Sequence, residues 1–148
     1  MANIQSSYAA THARWIEGMV PDMRPSVDIT RVVETAGGIG FGKVAQRGTA
    51  DNQCKVSSAS PKFLGITLLD NTQVGATVDT YPQYANAAIR QKGPVVVQAS
   101  VAVAQGDDVY FVPATGVLTN VSSGNVQIPG AKWETSTTGA GLAVVFLG

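Results

Sequence analysis

Hydrophobic and polar positions follow two periods along the chain, and the change falls near residue 26. Before it, Tyr8, His12, Trp15 and Met19 recur at i, i+4, i+7 and i+11, the spacing that aligns one face of an α-helix. Ser6 or Ser7 can cap such a helix, and Gly18 and Pro21 end it. A helix of about twelve residues is marginal alone and has to lie on something, either its own domain or a neighbouring subunit. Pro21 and Pro25 hold the following segment extended, and Trp15, Met19 and Met23 are adaptable anchors, which suits an arm that reaches outward.

From residue 27 the period becomes two. Val27, Ile29, Arg31 and Val33 share one side of a strand; in the longest run Val95, Val97, Ala99, Val101 and Val103 face one way and Val96, Gln98, Ser100 and Ala102 the other. Eleven such runs, from "VDITRVVET" to the closing "GLAVVFL", are separated by turn residues at intervals of about 8 to 12. Turns are expected at Gln105–Asp108 and over residues 113–116. The pattern predicts an all-β fold: a single compact β-barrel or β-sandwich of about eight to ten strands over residues 27–148, preceded by an extended or short-helical N-terminal arm over residues 1–26.

Composition narrows the function. The 148 residues suit one domain, and 10 basic against 10 acidic residues give zero formal charge, with charged residues at 14% where about 25% is usual. That speaks against a nucleic-acid partner gripped through phosphates. So few charges leave the surface poorly protected against association. Seven basic and five acidic residues fall in 1–62, three and five in 63–148, a weak dipolar split that suits docking or self-association. The single cysteine, Cys54, cannot form an intrachain disulfide and reads as a small buried hydrophobe. No apolar run approaches the ~18 residues of a membrane span. The first residues lack the basic and apolar regions of a secretory signal, so cytoplasmic synthesis and no membrane partner are expected.

Candidate chemistry is thin. Gly37, Gly42 and Lys43 match most of a phosphate-binding loop, but Val44 stands where Ser or Thr would meet magnesium and no helix follows. The alternation of Gly38, Gly40 and Gly42 instead leaves a bare strand face that a backbone or a ring, Trp15 or Trp133, can approach. Asp107 and Asp108 read as turn residues, and one histidine, His12, cannot build a multi-histidine metal centre. No enzyme, cofactor or metal site is expected.

Four segments carry a resemblance: "GIGFGKVAQRGTADNQCKV", where a Phe-Gly strand leads into a polar turn; "KFLGITLLD"; "GPVVVQASVAVAQGDDVYFVPATGVLT", with its Gly-Asp-Asp-Val-Tyr and Thr-Gly turns; and the closing "GAGLAVVFL". In this order and spacing, over about residues 30–148, they resemble the structural cement, or decoration, proteins of tailed-bacteriophage heads. The resemblance implies a non-enzymatic virion protein on the outer face of the capsid. Such a protein is made in the host bacterial cytoplasm and binds across major capsid protein subunits as a homo-dimer or homo-trimer. On that reading Tyr8, Trp15, Ile16, Met19 and Met23 are the expected anchors to neighbouring subunits, with Arg14 and Arg24 as rim contacts. The alternative is a virion-surface attachment or carbohydrate-binding module, for which Trp133, Tyr81 and Tyr84 are the available aromatics.

Overall fold

The computed structural model describes residues 15–75 and 77–148. Among them there is no helix and there are eleven strands: β1 (Val27–Val33), β2 (Ile39–Gly40), β3 (Val44–Arg47), β4 (Gln53–Lys55), β5 (Phe63–Thr67), β6 (Thr80–Tyr81), β7 (Asn86–Ala99), β8 (Asp108–Phe111), β9 (Leu118–Thr119), β10 (Val126–Trp133) and β11 (Gly141–Leu147). The expected all-β fold is present, and of barrel and sandwich it is the barrel, closed twice. One sheet runs β1-β4-β3-β5-β7-β11-β10-β8-β9, and β7 also pairs with β1 at one end and β9 at the other. β1, β4, β3, β5 and the first half of β7 therefore close one barrel; the second half of β7 with β11, β10, β8 and β9 closes the next. Closure limits the unpaired edge that would template aggregation, though β7 meets β9 only where Ala99 pairs with Leu118.

β7 is the shared wall because its sequence changes character midway. Asn86–Lys92 pair with β1 (Ile29 with Ile89, Val32 with Asn86), and Gly93–Ala99 pair with β11 (Val95 with Val145, Ala99 with Gly141). The hand-over falls at Gly93, with φ at +109°, followed by Pro94, which has no N–H to give a ladder. Buried Arg90 braces this joint, donating to both Asp28 carboxylate oxygens (2.8 and 3.0 Å) and to the Pro94 carbonyl (2.6 Å).

Each barrel has its own core. Val33, Ile39, Cys54, Leu64, Tyr81 and Ile89 fill the N-terminal one; Val95, Val97, Phe111, Leu118, Trp133 and Val145 fill the C-terminal one. A bulge welds the two together. Pairing of β3 with β5 slips between Ala45 and Gln46, so Leu64 and Ile66, two apart and normally on one face, enter different cores. Gln46 adds a polar tie, its amide donating to the carbonyls of Val56 (2.8 Å) and Pro113 (2.9 Å).

Three expectations change. "ANAAIRQ" and "PVVVQASVAV" form one strand that stops at Ala99, so Val101 is not in the sheet and lies partly exposed. "NVQI" and "AKWETS" merge into β10, and the glycine-rich run splits into β2 and β3. The helix through Trp15 and Met19 is absent over the described residues. Residues 15–19 make a turn in which the Met19 N–H reaches the Ile16 carbonyl (3.0 Å), with Gly18 at φ +82°, a left-handed conformation that ends any helix. Tyr8, His12 and Arg14 lie outside the described residues.

Candidate functional site

Residues 15–26 form a strap laid across both barrels, and its path follows from where β7 has hydrogen bonds to spare. Val96 turns its backbone groups away from β11. The strap takes both: the Gly18 N–H donates to the Val96 carbonyl (2.8 Å) and the Val96 N–H donates to the Met19 carbonyl (2.9 Å). The Gly18 carbonyl accepts the Leu69 N–H (2.9 Å). This covers the outer side of β7 and explains why Val96 is as buried as Val95 and Val97. The bare glycine face is used here by backbone: a Cβ on Gly42 would sit 2.8 Å from the Gly18 nitrogen, and one on Gly38 2.3 Å from the Tyr81 carbonyl. Trp133 is instead in the C-terminal core.

The far end of the strap is pinned by Arg24. Its guanidinium donates to both Glu134 oxygens (2.6 and 2.5 Å) and to Asp22 (2.9 and 2.8 Å), and lies over the Phe146 ring, 4.9 Å from its centre. Glu134 first and Asp22 second hold the guanidinium charged well above its ordinary range, and the same bond from Arg24 lowers the Asp22 carboxyl. Glu17 pairs with Lys43, tying the near end of the strap to the loop before β3.

What remains of the strap faces solvent. Ile16 is 55% exposed, Val20 40% and Met23 100%, and beside them Val27, the first residue of β1, is 47% exposed. Trp15 and Met19 are half-buried. Of the expected anchors, Ile16 and Met23 thus present their side chains outward, Trp15 and Met19 do so partly, and Arg24 is engaged within the chain. Val20 and Val27 were missed because residues spaced along an extended segment leave no helical signature. In a second exposed apolar group around the β5–β6 and β6–β7 connections, Val74 and Val78 were missed, and Tyr84 was considered only as a sugar platform. Its only sequence signal is apolar residues among turn formers in "NTQVGATVDTYPQY".

The groups considered for chemistry have structural employment. Lys43 follows a turn and precedes β3. Asp107 accepts bonds from Asn120 (2.8 Å) and the Ala104 N–H (3.0 Å), which lower its carboxyl, and Asp108 pairs with Lys132. Burial pushes the Cys54 thiol up to about 11, away from thiolate chemistry. Among the described residues, no group of three or more His, Cys, Asp and Glu could hold a metal ion. Tyr81, whose hydroxyl donates to the Leu68 carbonyl (2.7 Å), and Trp133 are both buried, so of the aromatics available for a sugar platform only Tyr84 is exposed.

Comparison with known proteins agrees with this picture of a binding body. Among curated proteins none matches the sequence. Of solved structures, a chain from the capsid of Myoviridae phage XM1 is similar, with a TM-score of 0.75 at 17% identity over 97% of this chain and 96% of that one. The N base of the head fiber gp8.5 of bacteriophage phi29 is similar at a TM-score of 0.50 and 10% identity, over 84% of this chain and 95% of that one. At such identities these likenesses concern the fold. The family model described as "Structural cement protein (E217 gp24/Pam3 gp6)" matches residues 4–148. Because that match runs through the strap and both barrels alike, the chain belongs to the structural cement protein family.

Proposed function

We propose that this protein is a capsid decoration protein that sits on the outer face of a tailed-phage head, binds across neighbouring major capsid protein subunits and stabilises the DNA-filled shell. The observation that carries the reading is the family match over residues 4–148. The physical basis is linkage: a head under internal pressure opens by separating subunits, and a protein bound to two of them adds its binding free energy to that separation. A body closed into two barrels gives a rigid spacer. The strap supports the contact, with Tyr8, Trp15, Ile16, Met19 and Met23 as anchors and Arg14 and Arg24 at the rim; Ile16 and Met23 are best presented among those described. The protein acts without catalysis, cofactor or nucleic-acid partner, as a homo-dimer or homo-trimer, and is made in the host bacterial cytoplasm before it joins the virion.

The test is a heat challenge of DNA-filled heads assembled with and without the protein. Decorated heads are expected to retain DNA at temperatures where bare heads release it; equal release overturns the reading.

A further inference from the structure

The register of the N-terminal barrel gathers positive charge that the sequence scatters. Gln46 pairs with Lys55 and Arg47 with Cys54 between β3 and β4, Val32 pairs with Gln53 between β1 and β4, and the Arg47 N–H bonds the Lys62 carbonyl (3.0 Å). Arg31, Arg47, Lys55 and Lys62 consequently line one open cleft of about 520 Å³. Of the nine described lysines and arginines, Arg24, Lys43, Arg90 and Lys132 hold ion pairs within the chain. Of the other five, four line this cleft, and the only acid on its lining is Asp51. Glu34 lies nearby; its carboxylate accepts from the Thr49 N–H and hydroxyl (both 2.7 Å), which lower it, and it feels the charge of Lys55.

We propose that this cleft docks an acidic polypeptide segment of the shell protein, the two arginines taking carboxylates in forked pairs and the two lysines supplying point charges. The inference rests on the decoration reading above and adds the chemistry of the partner. The lining favours a peptide over a nucleic acid: it offers no aromatic for base stacking, its one large apolar side chain is Leu64, and the whole chain has zero formal charge. A second copy of this protein suits the cleft less well, since five of its ten acids, Glu17, Asp22, Asp28, Asp108 and Glu134, are already in ion pairs. Residues 1–14 contain no acid to extend into a neighbour's cleft.

The experiment compares wild type with Arg47→Glu/Lys62→Glu, both exposed side chains, and with Arg47→Gln/Lys62→Gln as a milder pair. Each is titrated with fluorescent decaglutamate, with decathymidine at equal ionic strength, and with expanded undecorated shells, and each is melted to confirm the fold. Expected are a preference of wild type for decaglutamate over decathymidine, and a loss of at least about tenfold in both decaglutamate and shell binding for the Glu pair, less for the Gln pair. Shell binding by the Glu pair equal to wild type overturns the cleft while leaving decoration intact, as does a preference for decathymidine. If wild type itself ignores shells, the decoration reading and the shell occupant fail together, and the decaglutamate titration then decides only whether the cleft takes acidic peptide.

Discussion

Gly42 and Met23 represent the two kinds of residue on which the strap depends, one that lets it lie down and one that it offers outward. Gly42 has φ at +68°, and a Cβ there would fall 2.4 Å from Glu17 Cγ. Gly42→Ala meets both the left-handed penalty of about 1–2 kcal/mol and a contact that only strap movement can relieve. Thermal unfolding should show a Tm lower by several degrees, at about 2–4 °C per kcal/mol for this size; an unchanged Tm would mean the strap does not bear on Gly42. Met23 is fully exposed, so Met23→Asp should leave the Tm alone. Burying such a side chain contributes about 1.5–3 kcal/mol, so binding to shells should weaken by about ten- to a hundredfold, read from a titration of shells; unaltered affinity removes Met23 from the anchors.

At the scale of elements, alternation made the strands legible, and what it left hidden depends on partners remote in sequence. "PVVVQAS" reads as a buried strand from its own residues. That β7 serves two barrels does not, because closure rests on Val27 meeting Lys92 and Ala99 meeting Leu118. The helical spacing of Trp15 and Met19 is overridden by three backbone bonds around Gly18 to Val96 and Leu69, which local sequence does not announce. The Arg24 clamp is hidden likewise, its partner Glu134 lying 110 residues on. Of the basic cleft only the slight positive excess in residues 1–62 was visible. The strap is therefore a wall of the fold as well as an outward-facing element, which divides the effect of truncation. A truncation of residues 1–14 serves as the reference for melting. Removing 1–24 uncovers Val96 and breaks the Glu134 and Lys43 pairs, and should lower the Tm markedly. Identical melting of the two truncations contradicts the assignment of residues 15–24 to the barrel wall.

For the whole molecule, the buried acids predict an alkaline limit. Burial raises Cys54 from its ordinary 9.0 to about 11, and Tyr81 from 10.0 to about 12. Both are neutral in the folded state, so their contribution is complete below about pH 9 and is lost as pH rises through 11 and 12, where the unfolded chain gives up the protons more readily. Urea midpoints should fall over that window, and Cys54→Ala should delay the onset toward pH 10; a flat profile from pH 8 to 12 would contradict the burial of both groups. On the proposed function, this neutral, doubly closed body grips a protein shell. Sedimentation of the purified full chain with expanded, undecorated shells tests that most directly. Saturable co-pelleting, at a ratio fixed by the symmetry of the lattice, is the predicted result, and a chain that stays in the supernatant at every shell concentration contradicts it.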